Sequence, residues 1–426
     1  MLSRNLTDIS RSLVTLTRAG YKMTEIGEIP VDCELHKFSE IAETVKGSAP
    51  KNLPATGEEL KLYPYLSADY LRGNAEKTQY FKISNRKTNK IVNEDEIILI
   101  WDGSNAGEFF IGNEGLLSST MVKLVFKTFD VVPRFIYYYM KKEENKLKKT
   151  VKGSTIPHVN GDSLLNLYIL LPPVPEQQKI AEILSTADET IRKVNEEITL
   201  TKKLKKGLMQ TLLTKGIGHT KFKITEIGEI PEEWPLRPFS EVLQIRKRKN
   251  EGKSEKIYTI PMELIPQNET YCGYRSLNKS EVVPPTYCEC GDILLPKITP
   301  SVENGKQGIV PTMPSGNAFA TSEVYALFTN GSLTNIYTFY LLKLSLFRKP
   351  LIDSMVGTTG RQRVPKDSLF NLSFPVPPIP EQQKISEILT TIDHKLELLR
   401  SKKTHLEELK KGMMEELLTG RVRVKI

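Results

Sequence analysis

The segment PPVPEQQKIAEIL at Pro172–Leu184 recurs as PPIPEQQKISEIL at Pro377–Leu389, an offset of 205 residues from position 172 to position 377. The offset holds without a gap through the apolar and basic segment that follows each copy. A second match, TEIGEIP, stands at Thr24–Pro30 and again, unchanged, at Thr225–Pro231. Identity over such stretches is not chance, so the chain duplicates a unit of about 200 residues.

The two copies agree at their ends and diverge in their middles. Residues 45–150 and 245–355 share only faint echoes, such as Glu96–Leu99 against Asp292–Leu295. Within one chain, this pattern favours a common scaffold that carries two different recognition surfaces.

A long helix is predicted after each PPxPEQQ segment. Apolar residues recur there in alternating steps of four and three, which is the spacing of a coiled-coil seam. Proline followed by an acidic residue suits a helix first turn, and Gly216 and Gly420 act as stop signals. Each helix of about 40 residues would be about 60 Å long. The residues predicted to pair the helices are Ile180, Leu184, Ile191, Ile198, Ile385, Leu389, Ile392, Leu396 and Leu399.

The two helices are predicted to pair with each other. A single amphipathic helix of this length cannot bury its whole apolar stripe against one small domain, whereas two equal helices can bury theirs together. Antiparallel pairing would place one domain at each end, related by a pseudo-twofold axis. The alternative, in which each helix packs on its own domain, stays open. The stripe is expected to continue at Leu204 in the first helix and Leu409 in the second.

The repeats define the predicted domains. Leu16–Gly20 resembles Leu213–Gly216, so the N-terminus is expected to replay the tail of the helix unit and complete a ring of repeats. The predicted segments are an N-terminal segment at 1–20, a first domain at 21–171, a central helix at 172–215, a second domain at 216–376 and a C-terminal helix at 377–421.

The composition is that of an ordinary globular protein. Of the 426 residues, 39% are hydrophobic and 26% charged, and no apolar run reaches the ~18 residues of a membrane span. The first 20 residues lack the apolar core of a signal peptide, so a cytoplasmic location is expected. The four cysteines are too few for a disulfide framework, and they lack the partners of a zinc site. We therefore expect buried or free thiols and no metal site.

The net charge of +9 is a mild lean toward polyanions, and its distribution is more informative than its size. Basic clusters lie at Lys82–Lys90, Lys141–Lys149 and Arg246–Lys253. Each is either a solvated face or part of a DNA-binding surface. The candidates for DNA contact from the first and third clusters are Lys82, Arg86, Lys87, Arg246, Lys247 and Arg248.

Catalytic motifs are missing from the sequence. None of the Pro-Pro pairs has the Asn/Asp before it and the aromatic after it that amine methyltransferases of DNA need, and no P-loop occurs. Asp102–Gly107 is glycine-bearing but matches no nucleotide motif, so it is predicted to be a turn, with contact to the DNA backbone as the alternative. Asp292 and Lys297 resemble part of a metal nuclease, although the intervening acidic-x-lysine element is lacking.

The duplicated PPxPEQQKIxEIL helix, preceded by a variable domain that begins with TEIGEIP, closely resembles the specificity subunit of Type I restriction–modification systems. The resemblance covers essentially the whole chain. It implies an α+β fold in which two target recognition domains are separated by two long helices that form an antiparallel coiled coil. In that family, each domain recognises one half of a split, asymmetric DNA target.

The same resemblance implies a chain that is not an enzyme and binds no cofactor. The expected partners are double-stranded DNA, two modification subunits and the restriction subunits. The modification subunits use S-adenosylmethionine to methylate adenine at N6, and the restriction subunits use ATP and Mg²⁺. Flipping a base out of the duplex for methylation would be the work of these partners.

Near the end of each domain, GSTIPH at Gly153–His158 and GTTGRQR at Gly357–Arg363 resemble a Gly-Ser/Thr-Thr loop of this family that lies near the DNA. Phosphate contacts position a protein on DNA, and base-edge contacts specify the sequence; Arg suits guanine and Gln suits adenine. A structural turn is the alternative for both loops. The DNA-binding candidates in these loops are Arg361, Gln362, Arg363, Thr358, Thr359, Ser154, Thr155 and His158.

Two rival functions remain at this point. One is a scaffold that holds methyltransferase-like partners without recognising sequence, for which salt-dependent but sequence-independent DNA binding would be the sign. The other is a fused nuclease or methyltransferase, against which the missing motifs argue.

Overall fold

The structure, a computed structural model, describes residues 20–48, 60–73, 78–84, 90–128, 130–153, 155–247, 257–277, 285–358 and 360–425. The chain forms two compact units, residues 1–193 with 403–426 and residues 194–402. Each unit therefore contains one globular domain and a part of both long helices, whereas the sequence predicts each helix as a separate segment. Apart from Gly20, the predicted N-terminal segment lies outside the described residues.

The domain of the first unit is built on two four-stranded sheets. The antiparallel sheet has the strand order Ala42–Lys46, Met121–Phe126, Ile98–Ile100 and Phe109–Phe110. The mixed sheet has the order Tyr80–Ser84, Leu60–Leu66, Gly115–Leu117 and Ile91–Val92. Two antiparallel pairs complete the strands, Tyr21–Thr24 with Gly27–Pro30 and Glu34–Lys37 with Tyr168–Leu171. The helices are Phe38–Ile41, Ala68–Leu71, Pro133–Lys149 and Gly161–Leu165.

The domain of the second unit repeats this plan. Its antiparallel sheet has the order Leu243–Ile245, Val324–Thr329, Ile293–Pro296 and Gly308–Ile309. Its mixed sheet has the order Arg275–Leu277, Ile257–Ile260, Asn317–Ala320 and Thr286–Glu289. The strand pairs are Phe222–Thr225 with Gly228–Pro231, Leu236–Pro238 with Ser373–Pro375, and Val356–Thr358 with Arg361–Arg363. The helices are Phe239–Val242, the 3₁₀ turn Met262–Leu264, Asn335–Lys343, Ser345–Asp353 and Asp367–Phe370.

The two divergent middles thus have one topology. In both mixed sheets the second and third strands run parallel, and every other pairing between the strands given above is antiparallel. The faint sequence echo falls on Ile98–Ile100 and Ile293–Pro296, which hold the same position in their sheets and are wholly buried. A strand buried on both faces needs an unbroken apolar run. This requirement explains why the two strands remain similar in sequence although the residues around them differ.

The two long helices span Val174–Lys215 and Ile379–Leu418. Each has its proline in the first turn, and each ends before a glycine in the left-handed region, Gly216 at φ +66° and Gly420 at φ +70°. A Cβ on Gly216 would approach Glu381 Oε1 to 2.5 Å, so only glycine fits this stop. The start and stop signals read in the sequence are confirmed.

The helices pair antiparallel within each unit. In the first unit, Ile180 and Leu184 near the start of the first long helix share a core with Leu417 and Leu418 at the end of the second. In the second unit, the cluster that holds both ends contains Leu212, Leu213, Ile385 and Leu389. Domain side chains complete the same cores, so packing on a domain and pairing of helices occur together. Of the other predicted pairing residues, Ile198, Leu396 and Leu399 are buried, and Ile191 and Ile392 are half-buried.

The expected continuation of the apolar stripe is wrong at two equivalent positions. Leu204 is 56% exposed and Leu409 is 51% exposed. The inward-facing positions are instead occupied by the adjacent Lys205 and Lys410, because each finds an aspartate on the other helix. An apolar residue would leave that carboxylate without its counter-charge.

The four cysteines are free thiols, and Cys33, Cys272 and Cys288 are buried. Burial raises the pKa of the Cys33 thiol to about 11 and that of Cys272 to about 12. None of the described helices combines the length and the apolar character that crossing a membrane requires.

Candidate DNA interface

The two predicted loops occupy equivalent places in their domains. In the first domain, Gly103 N donates to Pro157 O at 2.8 Å and Val159 N donates to Trp101 O at 2.9 Å. In the second domain, Thr299 N donates to Gln362 O at 3.1 Å and Val364 N donates to Lys297 O at 2.8 Å. Both loops are therefore attached to the segment just after the third strand of the antiparallel sheet. The sequence predicts that the two loops are equivalent only from their matching positions near the end of each domain.

In the second domain the loop is a β-hairpin that presents two arginines. Arg361 and Arg363 are exposed, and Gln362 between them is half-buried. The hairpin is tight because Gly357, at φ +130°, lies against the carbonyl of Arg361, which a Cβ would approach to 2.6 Å. Thr358 is exposed on the same hairpin. Four of the predicted DNA-contacting residues, Thr358, Arg361, Gln362 and Arg363, thus lie together on one hairpin.

Arg363 is held in a fixed orientation by Glu323. The guanidinium Nη2 lies 2.7 Å from Oε1 and Nε lies 3.1 Å from Oε2, a bidentate arrangement. Sequence reasoning missed Glu323, which lies 40 residues before Arg363 and carries no motif. Only the pairing of the two chain segments in space reveals it.

Lys297 lies on the same strand end. Its Nζ lies 5.1 Å from the centroid of the Tyr325 ring, whose hydroxyl donates to Val364 O at 2.8 Å. Burial is the main cause that lowers the pKa of Lys297, although the Glu323 carboxylate opposes it. These contacts make the base of the hairpin rigid, which suits a surface that must hold its side chains in position.

The loop of the first domain has a different chemistry. Thr155 and Ile156 are exposed, and His158 is half-buried, with its backbone bonded to Lys152 in both directions at 2.8 and 2.9 Å. No guanidinium group stands where the second domain has Arg361 and Arg363. The equivalent loops therefore present an apolar and imidazole surface in one domain and a cationic one in the other.

The basic clusters differ in what remains available for DNA. Arg246 is engaged by Asp292, with Nε and Nη2 at 2.9 and 2.6 Å from the carboxylate oxygens, and it stacks 3.9 Å from the Phe328 ring centroid. The hydrogen bonds that Arg246 donates to the Asp292 carboxylate raise the pKa of Arg246. This favours a structural role for Arg246, while Lys247 and Lys82 are exposed and stay candidates for DNA contact.

The remaining cluster, on the helix Pro133–Lys149, is partly neutralised by its own two glutamates. Lys142 and Lys146 pair with Glu143, and Lys141 and Lys148 pair with Glu144. The candidates that lie outside the described residues are Ser154, Thr359, Arg86, Lys87 and Arg248.

The nuclease-like pair does not form a metal site. The Asp292 carboxylate is buried and held by Arg246, and Lys297 faces Tyr325. Across the described part of the chain, no group of three or more His, Cys, Asp or Glu side chains could hold a metal ion. Asp102–Gly107 is a turn between two strands, as predicted, with its glycines at positive φ.

Comparison with known proteins agrees with this duplicated architecture. The family model described as Type I restriction modification DNA specificity domain matches residues 30–202 and again residues 231–408. The chain belongs to this family. It is 36% identical over 410 residues to the Type I restriction enzyme MjaVIII specificity subunit of Methanocaldococcus jannaschii, covering 93% of this chain and 94% of that protein. A shorter match, 29% identical over 161 residues, covers 37% of this chain and 27% of the Type I restriction enzyme EcoAI specificity subunit of Escherichia coli.

Solved structures show the same fold for this specificity subunit. The Type I restriction–modification S subunit from M. genitalium superposes with a TM-score of 0.56 at 16% identity, over 93% of this chain and 98% of that one. A chain from a study of complex assembly and conformational transition of the Type I system gives a TM-score of 0.53, over 92% and 99% of the two chains.

The first glutamine of each PEQQ motif ties a long helix of the specificity subunit to its domain. Gln177 accepts from Val132 N at 2.9 Å and donates to the carbonyl of Pro172 at 2.8 Å. Gln382 does the same with Thr334 N at 2.7 Å and the carbonyl of Pro377 at 2.8 Å. Both glutamines are buried, so replacing either would leave buried backbone groups without partners.

The glutamate of each motif holds the segment that follows the other long helix. Glu381 accepts from Ile217 N at 2.9 Å and from Trp234 Nε1 at 3.1 Å, and Glu176 accepts from Val424 N at 3.0 Å and Arg423 Nε at 2.9 Å. The sequence predicts only a favourable charge at the helix N-terminus. The structure adds that the linker after the first helix and the tail after the second are bound in the same way.

Proposed function

We propose that this specificity subunit recognises a bipartite, asymmetric DNA target with one domain per half-site. The observation that carries the proposal is that two domains of one topology present chemically different loops at equivalent positions. A duplicated frame with identical loops would favour a symmetric target. Thr155 and His158 in one loop, against Arg361 and Arg363 in the other, favour two unlike half-sites.

The two halves of the proposed target would be contacted by different means. Arg361 is exposed, and no partner of its guanidinium is found among the described residues, so it is free to contact a guanine edge or a phosphate. Arg363, held by Glu323, presents its three remaining N–H groups in fixed directions, which favours base contact over phosphate contact. The first domain, with a threonine and a histidine, would rely more on neutral hydrogen bonds.

The chain is proposed to act without chemistry of its own. Methylation and cleavage are assigned to partner subunits that supply S-adenosylmethionine, ATP and Mg²⁺. This assignment is supported by the engagement of Asp292 by Arg246 and by the missing catalytic motifs. The specificity subunit would then contribute the position of the complex on DNA.

To test this recognition of two half-sites, residues 45–150 are exchanged for those of a relative. Adenine methylation is then mapped in cells that contain the modification subunits. We expect one half of the methylated motif to change and the other half to stay. The reciprocal exchange of residues 245–355 is the matched control and should change the opposite half. Methylation that follows no split motif would favour a scaffold that does not recognise sequence.

We further propose that the long helices dock the modification subunits through two equivalent apolar positions. Leu204 and Leu409 are related by the 205-residue offset between positions 204 and 409, and both are more than half exposed on the helices. An exposed leucine on each copy would give one docking position for each of two identical subunits.

This docking is tested with Leu204→Asp, Leu409→Asp and the double variant, each co-purified with the modification subunit. Each single variant should lose one modification subunit, and the double variant should lose both, as measured by light scattering. Ile224→Asp is the control, because Ile224 is 90% exposed and lies on the hairpin that follows the first long helix rather than on either long helix. Full stoichiometry in the double variant would exclude these positions as the docking site.

A further inference from the structure

The second unit contains a large cavity lined by positive charge. Its volume is about 810 Å³, and it lies between the C-terminal part of the first long helix, the junction of the helices Asn335–Lys343 and Ser345–Asp353, and the second long helix. Cavities of roughly 300–1,000 Å³ are typical of ligand sites. We call it the basic cleft; its cationic lining residues are Lys202, Lys205, Lys206, Lys215, Lys343 and Arg400.

Most of this charge has no counter-charge. The two carboxylates that line the basic cleft, Asp393 and Glu229, pair with Lys205 and Lys215 respectively. The other four cations have no carboxylate within ion-pair distance in the part of the chain that the structure describes. Like charges gathered in one cavity repel each other, and an anion bound among them removes that repulsion.

Lys343 is the most constrained of the four. It is half-buried, and its Nζ donates to Gln267 O at 2.9 Å and lies 4.8 Å from the centroid of the Phe339 ring. Burial, with further contributions from the cations Lys205 and Arg348, lowers the pKa of Lys343 to about 8. Desolvation disfavours the charged form of the Lys343 ammonium group, and a bound anion would stabilise that form.

The charge of the basic cleft is only partly repeated along the chain. At the 205-residue offset, Lys205 and Lys206 recur as Lys410 and Lys411, whereas Lys202 corresponds to Glu407 and Arg400 corresponds to Asn195. Lys202 and Arg400 therefore add two positive charges that the equivalent positions of the repeat lack.

We propose that the basic cleft binds the phosphate groups of a polyanionic ligand. Phosphates fit because each lysine ammonium offers three donors and several unpaired ammonium groups converge on one cavity, which matches the dense negative charge of linked phosphates. The source is either a free polyphosphate or nucleotide, or the backbone of duplex DNA. The proposal goes beyond recognition of the target and does not depend on it, because none of the predicted base-contacting residues lines the cleft.

The test is calorimetric titration of the full chain with two probes, inorganic tripolyphosphate and a short duplex that lacks the methylation target. The variant Lys202→Gln with Lys206→Gln, both exposed on the first long helix, should bind at least one probe about tenfold more weakly, because two charge-assisted contacts are lost. Adding Lys343→Gln should weaken binding further. Lys203→Gln, on the same helix but outside the cleft, is the control for loss of an exposed lysine from this helix and should match the wild type.

The outcomes separate the sources. Loss confined to tripolyphosphate identifies a site for a free polyphosphate, and loss confined to the duplex identifies a contact with the DNA backbone. The proposal is overturned if neither probe binds the wild type, or if the double variant binds both probes as tightly as Lys203→Gln does. In addition, the double variant is assembled with the modification subunits and the methylated motif is mapped. An unchanged motif would show that recognition of the target does not depend on the basic cleft.

Discussion

Lys205 and Asp393 form an ion pair between the two long helices, and Lys410 and Asp188 form the same pair 205 positions along the chain, from 205 to 410 and from 188 to 393. Each aspartate also accepts a hydrogen bond from a domain tyrosine, Asp393 from Tyr340 at 2.7 Å and Asp188 from Tyr138 at 2.8 Å. Helix pairing and domain attachment therefore meet at one carboxylate in each unit.

Asp393→Asn is expected to lower the free energy of unfolding by about 2–3 kcal/mol, because it leaves Lys205 without its counter-charge in a partly buried place. Asp188→Asn should cost less, since the side chain of Asp188 is 41% exposed and that of Asp393 is 16% exposed. Urea denaturation of both variants measures the difference. The control is Asp353→Asn, which removes a surface pair with Lys349. Equal losses for Asp393→Asn and Asp353→Asn would contradict the interpretation.

Glu323→Gln is expected to weaken discrimination in the half-site that we propose for the second domain, by about tenfold, because Arg363 loses the partner that fixes its direction. Stability should change little, since the arginine of this pair is largely exposed. Binding assays with single-base changes in each half-site provide the measurement. Glu263→Gln breaks an exposed pair with Arg275 and is the matched control. Uniform weakening across all sequences would mean that Arg363 contacts phosphate.

The adjacent cations Arg246 and Lys247 should behave in opposite ways. Arg246→Met leaves the buried Asp292 carboxylate without its counter-charge and should destabilise the protein by about 3–5 kcal/mol. Lys247→Gln should leave stability unchanged and weaken DNA binding with a smaller salt dependence. Thermal melts and salt titrations separate the two effects. A stable Arg246→Met variant with weakened DNA binding would restore Arg246 as a DNA contact.

Lys343 should give the protein a distinctive dependence on pH. Its pKa is lowered to about 8 in the folded protein, from an ordinary 10.5, so between these values the unfolded chain binds more protons than the folded one. Stability contributed by this residue must therefore rise as the pH increases from about 8 toward 10.5. Lys343→Met should remove that rise and be more stable than the wild type at pH 7. Denaturation from pH 7 to pH 9.5 tests this, and parallel profiles for the two proteins would show that Lys343 is not desolvated.

The sequence by itself determined the duplication, the two long helices, their ends and their antiparallel pairing. These features depend on local rules: apolar spacing selects the helix face, proline fits only the first turn, and Gly216 and Gly420 supply the left-handed residue that ends a helix. The sequence also identified the hairpin that carries Arg361 and Arg363, because its glycines and cations are adjacent along the chain.

Only the tertiary structure decided the interactions between distant segments. Leu204 is exposed and Lys205 faces inward because Asp393 lies opposite, and no periodicity within one helix contains that information. In the same way, Asp292 engages Arg246, Glu323 orients Arg363, and the cations of the basic cleft converge from segments more than 100 positions apart, such as Lys202 and Lys343. Charge–charge energies depend on separation and burial in space, so composition can show that the charges exist but not which of them are neutralised.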